Sequence, residues 1–297
     1  MKRYRLLKDS IAGKLMFFVT VCCALLVLGM GLGLFIKAWP ILAIKPLAEI
    51  LFSEIWHPLK GEFGMFPFIT GTLWVTGIAI IIATPISLLT AIYLSEYAPK
   101  RMLEFSRPFI DLLAGIPSVI YGVWGILIIV PLVKNHIAPL FGYISSGYSV
   151  LSAGIVLSIM IFPVIIHITV EVFQTVPREL REASLALGAT RWQTVKHVLL
   201  RKALPGIAEA NVLGFSRAFG ETMAVLMVAG NMVKTPSSVF DAGYPLPALI
   251  ANNYGEMLSI PLYDSALLLA ALVLFIVVIF FNVLSRYILH RINLRIN

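Results

Sequence analysis

Residues 15–36 read LMFFVTVCCALLVLGMGLGLFI, and no charge interrupts them. Lys2, Arg3, Arg5, Lys8 and Lys14 stand before this run and Lys37 closes it. A basic start followed by an apolar stretch imitates a secretory signal. A signal's apolar region spans only about 7–15 residues and ends in a small-residue cleavage site. This run is longer, and no A-x-A pattern follows it. It reads as a retained first membrane helix, since about 20 apolar residues cross a bilayer.

The rest of the chain repeats the pattern. Five further segments are long and apolar enough: roughly 66–94, 109–133, 150–172, 206–230 and 265–284. The segment 206–230 is the weakest, because it holds Glu209, Arg217 and Glu221. The expected fold class is therefore all-α and integral to the membrane, with six transmembrane helices in one domain over 1–297. Its parts are an N-terminal segment 1–14, a core of about 66–285 and a long polar loop at about 174–205.

Composition agrees. Of 297 residues, 59% are hydrophobic and 13% are charged. A soluble domain carries about 25% charged residues, so lipid is the solvent for most of this surface. The net charge of +8 would point to nucleic acid on a soluble protein. Here the cations cluster between apolar runs. Counted over six spans, 17 Lys/Arg fall on the side holding both termini, 95–107 and 174–205, and five fall on the other. The positive-inside rule puts that first side in the cytoplasm. The opposite segments carry Trp39, Trp56, Tyr143, Tyr148 and Tyr244, as expected of an interfacial belt.

Several polar residues have local readings. Cys22 and Cys23 are adjacent and point apart on a helix, which excludes a disulfide between them. Asp111 is expected near a helix start, favoured by the dipole. His167 reads as a lone, hydrogen-bonded core imidazole. Glu209 and Asn211 are expected to hydrogen-bond for structure. Pro85 and Pro117 are expected to kink their spans, and Gly115, Gly122 and Gly125 to admit close packing. No Gly-x4-Gly-Lys-[Ser/Thr] loop, metal-ligand spacing, nucleophile elbow or dinucleotide fingerprint occurs. The residues therefore give no support to an enzyme.

Within 174–205, apolar residues recur at three- and four-residue spacing, with Gly188 as a break. That pattern predicts two short amphipathic helices, lying on lipid or docking on a partner. The stretch Glu182-Ala183-Ser184-Leu185-Ala186-Leu187-Gly188 resembles the EAA-x3-G loop of ABC importer permeases. By that resemblance, Glu182, Ala183, Ser184 and Gly188 belong to a coupling helix that docks on a separate ATPase. Small Ala183 and Ser184 would permit close approach, and Glu182 would sit near a helix start. The family's usual proline is replaced by Arg201, and a Leu204-Pro205 pair follows.

Arg217 and Glu221 stand four apart, which on one continuous helix places them on one face. Charges in a span cost at least about 2.5 kcal/mol each and face a bundle interior or a water cavity. They form either a neutral pair that fixes packing or a functional one. The stretch Arg217-Ala218-Phe219-Gly220-Glu221-Thr222-Met223-Ala224-Val225 resembles the RAxGETMAV signature of PstC-type phosphate ABC transporter permeases. Gly115 to Gly122 and Phe63 to Leu73 also match, so the resemblance covers roughly residues 56–285.

The resemblance implies a type I ABC importer permease with Arg217 and Glu221 in the substrate path. It implies an ATP-binding cassette ATPase dimer, a second, PstA-like permease subunit and an extracytoplasmic phosphate-binding protein as partners. It implies a bacterial inner membrane location, no cofactor and no nucleic acid. The alternatives are another oxyanion (molybdate, sulfate or phosphonate), a gradient-driven transporter or channel, and a membrane scaffold.

Overall fold

The computed structural model describes residues 2–256 and 260–296, with side chains for 10–256, 260–284, 286 and 287. The basic side chains at 2, 3, 5 and 8, and those at 291 and 295 used in the orientation count, lie outside that set.

The chain is almost wholly helical. α1 (Lys2–Ile44) is one continuous helix, so residues 2–14 are helical and run on into the first span. α2 (Leu47–Phe52) leads to a two-stranded hairpin, β1 (Trp56–His57) against β2 (Glu62–Phe63). α3 (Phe66–Ile92) ends in a π-helical turn, Tyr93–Tyr97. α4 (Lys100–Gly115) precedes α5 (Ser118–Leu140), which contains two π turns. α6 (Val150–Thr175) is followed by α7 (Arg178–Ala186) and α8 (Arg191–Thr194). After another π turn come α9 (Leu200–Phe219), α10 (Met223–Val228), α11 (Leu246–Asn253) and α12 (Tyr263–Ile296).

Among the described residues, five helical stretches are long and apolar enough to cross a membrane: Ser10–Ile44, Phe66–Tyr97, Ser118–Leu140, Val150–Thr175 and Tyr263–Leu284. Two expectations change. The third span begins at Ser118 rather than near Phe109. Pro117 forces its predecessor out of helical geometry, and Ile116 is extended at φ −64°, ψ 129°. Pro117 thus separates two helices instead of kinking one. The preceding α4 buries none of its residues. The expected fifth span is α9 broken from α10 at Gly220.

The core is the pair α3 and α6, against which α5, α9 and α10 pack. Val75, Ala79 and Ala83 from α3 meet Ala153, Val156, Leu157, Met160 and Ile161 from α6. Lipid is as apolar as leucine, so small residues and close packing hold such helices together. A Cβ on Gly154 would stand 2.5 Å from Ile78 Cγ2. Likewise Gly122 faces Met227 and Gly125 faces Val156, whereas Gly115 has open space. Gly154→Val is expected to destabilise the protein by about 1–3 kcal/mol, the usual cost of overpacking, and to lower the thermal midpoint of the purified protein. An unchanged midpoint would refute this packing account. α1 rests on α12, and none of its residues from 10 to 37 is buried.

At the end carrying the hairpin, Trp56 packs edge-on against Phe63 and Phe68, and Phe68 meets Tyr244. Trp56 and Tyr244 are therefore an interior aromatic cluster, unlike the exposed Trp39 and Tyr143.

The loop after α10 is pinned by Asp241. Its Oδ2 accepts from Ser237 N (3.0 Å), Ser237 Oγ (2.8 Å) and Ser238 N (2.9 Å). Partial burial works against ionisation here, but these hydrogen bonds and nearby Lys234 prevail and hold the carboxyl below its usual value. A depressed carboxylate contributes stability above its unfolded value, near about 3.9, and loses it as pH falls through the folded one. Asp241→Asn at neutral pH is expected to speed hydrogen exchange at the amides of 237–241; equal exchange would contradict this.

Candidate functional site

Two helix breaks meet beside one another. α4 stops before Pro117, leaving its last carbonyls without helical donors. Tyr121 Oη donates to Leu113 O at 2.7 Å, and Arg217 Nη2 donates to Ala114 O at 3.4 Å. On the facing strand of chain, α9 ends at Gly220 and α10 restarts at Met223. The breaks are held together where Gly122 of α5 meets Ala224 and Met227.

Arg217 is half-buried in the last turn of α9. It has no carboxylate partner among the described residues. Its expected partner, Glu221, does not share its helix face. The helix ends at Gly220, a residue of low helix propensity, and Glu221 turns to the next element. There Glu221 Oε1 accepts from Ala224 N at 3.2 Å, which caps the start of α10. The carboxylate on the Arg217 side of α9 is Glu209, two turns earlier, with Leu213 between them. Glu209 and Leu213 are exposed, and Glu209 has no partner among the described residues. The structural role expected of both polar residues belongs to Asn211 alone. It donates to Ile207 O (2.8 Å) and accepts from Thr84 Oγ1 (2.6 Å), tying α9 to α3. The i, i+4, i+8 spacing of 209, 213 and 217 was the available signal for Glu209.

Asp111 lies in the last turns of α4, not near a start, so the helix dipole disfavours its charge. His167 reaches it from α6: its Nδ1 is 3.3 Å from Asp111 Oδ1 and its Nε2 3.3 Å from Glu171 Oε1. This imidazole is not alone; it joins α4 to α6.

The segment between α6 and α9 forms the two short helices expected, broken at Gly188. Gly188 adopts φ +85°, a conformation that costs glycine little. Ala189 N then bonds Ser184 O, and Thr190 starts α8 with a reciprocal capping box with Gln193. Glu182, Ala183, Leu185 and Leu187 are exposed, Leu187 at 89%. Two details differ from expectation. Ser184 points inward, 2.9 Å from Thr194 Oγ1, so it braces α8. Glu182 is mid-helix, and the first-turn acid is Glu179.

Five helices long and apolar enough to cross a membrane, two helix breaks meeting at an arginine and a polar helical hairpin fit a multi-pass transport permease. Residues 83–294 match the family described as "Binding-protein-dependent transport system inner membrane component", and the chain belongs to it. It is 36% identical over 292 residues to a Bacillus subtilis protein named probable ABC transporter permease YqgH, covering 95% of this chain and 92% of that one. It is 40% identical to the phosphate transport system permease PstC of Xylella fastidiosa strain 9a5c (82% and 79% covered). It is 38% identical to the corresponding probable permease of Methanocaldococcus jannaschii (82% of each). The fold is that of type I ABC importer permeases. A chain of the inward-facing MetNI methionine ABC transporter matches with TM-score 0.57 at 22% identity, over 75% of this chain and 93% of that one. A chain of a bacterial ABC transporter that imports alginate matches with TM-score 0.56 at 18% identity over 97% of each.

Proposed function

We propose that this chain is the permease subunit of an ATP-driven inorganic phosphate importer, and that Arg217 lies on the anion path. The observation that carries the reading is an arginine between two helix breaks with no carboxylate partner among the described residues. A guanidinium presents a planar fork that donates paired hydrogen bonds to oxyanion oxygens. The start of α5 adds a positive helix end nearby. Relatives named as phosphate transport permeases support the choice of anion.

Both termini and the α7 end face the cytoplasm, on the strength of the Lys/Arg distribution. Glu182 and Ala183 on exposed α7, with Gly188 turning the chain behind them, dock on an ATPase. An ATPase dimer, a second permease chain and an external phosphate-binding protein complete the assembly. ATP binding closes the ATPases and moves α7, the membrane helices rock from inward-open to outward-open, and hydrolysis resets them. Glu221 shapes the path through its cap on α10. One arginine is a weak trap for a phosphate carrying one to two negative charges, so the second chain supplies at least one more cation. Normal transport by a homodimer of this chain would contradict that.

Anion competition tests the substrate. Uptake of labelled phosphate by cells lacking their own transporter, expressing this chain with its partners, should yield to unlabelled phosphate and resist excess sulfate, molybdate or phosphonate. Equal inhibition by sulfate would sink the phosphate assignment.

A further inference from the structure

We infer that Arg181, acting through Glu96, is the positioning residue that makes exposed helix α7 move as one body with the ends of α3 and α6. The inference rests on the coupling role of α7 proposed above and concerns how motion passes from it.

Arg181 binds three elements at once. Its Nε donates to both Glu96 oxygens at 3.2 Å, and Nη2 donates to Glu96 Oε1 at 2.8 Å. Its Nη1 donates to Val176 O at 2.7 Å, and Nη2 also donates to Phe173 O at 2.8 Å. Phe173 and Val176 belong to the end of α6, where carbonyls lack helical donors. Glu96 sits in the π turn that ends α3, a widened turn that often marks a functional site. The side chains of Arg181 and Glu96 are 21% and 12% exposed. Among the described residues, no other ion pair is this shielded: Lys45–Glu49 and the His167 pairs are more open. Screening by salt and water is therefore weakest here.

The remainder of the α7 attachment is slight. No residue of α7 is buried, and Ser184 braces it to α8, whose helix runs on through the π turn into α9. A force applied to Glu182, Ala183 or Leu185 reaches α9 through the α8 contact, and reaches the ends of α3 and α6 through the guanidinium or the short chain at 176–177. A lysine keeps the charge but not the planar fork, so it cannot satisfy both carboxylate oxygens and two carbonyls together. A carboxylate at 181 would face the Phe173 and Val176 carbonyls, so exchanging the two charges is not expected to restore the link.

The test is the ATP hydrolysed per phosphate imported, measured on the whole complex in sealed vesicles. Arg181→Lys and Glu96→Gln should each raise that ratio on the order of tenfold, the scale of losing charge-assisted hydrogen bonds, with ATPase co-purification unchanged. Hydrolysis and uptake falling in proportion, or an unchanged ratio, would overturn the inference. A wild-type complex without ATP-dependent phosphate uptake would sink the proposed function instead. A second measurement leaves Arg181 and Glu96 unchanged and needs no transport. Spin labels at the exposed positions Tyr97 and Glu179, with Cys22 and Cys23 replaced by Ala, report the distance between the α3 end and α7. The distance should be the same with and without trapped ATP. A shift of about 5 Å, one helical turn, overturns the single-body account.

Discussion

Arg217→Gln is expected to abolish phosphate uptake while the chain still reaches the membrane and still co-purifies with its ATPase. Among the described residues the side chain makes one long bond, 3.4 Å to Ala114 O. Glutamine therefore removes little of the packing. What it removes is a charged fork from a membrane position that bears no other cation on α9 past Lys202. Hydrogen bonds to charged groups contribute about 1.5–3 kcal/mol, or about 12- to 150-fold in binding or rate. Arg217→Lys should retain part of the activity, since charge survives and the fork does not. The measurement is initial uptake of labelled phosphate, normalised to membrane level. Normal transport by Arg217→Gln would remove the arginine from the path and return it to capping the end of α4.

Glu182→Lys is expected to cost the complex its ATPase. Glu182 is exposed at the middle of α7, one turn after Arg178 and beside Arg181. Reversal adds a cation to a helix that already holds two, and like charges opposed across an interface cost several kcal/mol. Affinity for the ATPase should fall by about a hundredfold or more, because each 1.4 kcal/mol is tenfold. Glu182→Gln should be milder. Pull-down of the ATPase from detergent extracts distinguishes these results. Full retention by Glu182→Lys would move the docking surface elsewhere, towards the other exposed residues Leu187 and Trp192.

The apolar runs and the loop helices were legible because each obeys one local rule: length for the spans, periodicity and a glycine break for α7 and α8. The two breaks were not read correctly, for different reasons. Pro117 was visible, but a proline that kinks a span and one that ends a helix look alike in one dimension. The extended Ile116 and the amphipathic α4 decide between them. Gly220 was hidden inside an apolar stretch, and helix spacing paired Arg217 with Glu221 across a turn that is not helical. The Arg181–Glu96 pair spans 85 residues and depends on how α3, α6 and α7 meet. No periodicity carries such a contact. His167 is similar, since its Asp111 partner comes from a neighbouring helix.

The most direct measurement is accumulation of labelled phosphate by sealed vesicles containing the complete complex, with ionophores present to collapse every ion gradient. The account predicts that accumulation continues while ATP is supplied on the α7 side and stops when ATP is withheld. Accumulation that vanishes with the ionophores and ignores ATP would contradict it and make this chain a gradient-driven transporter.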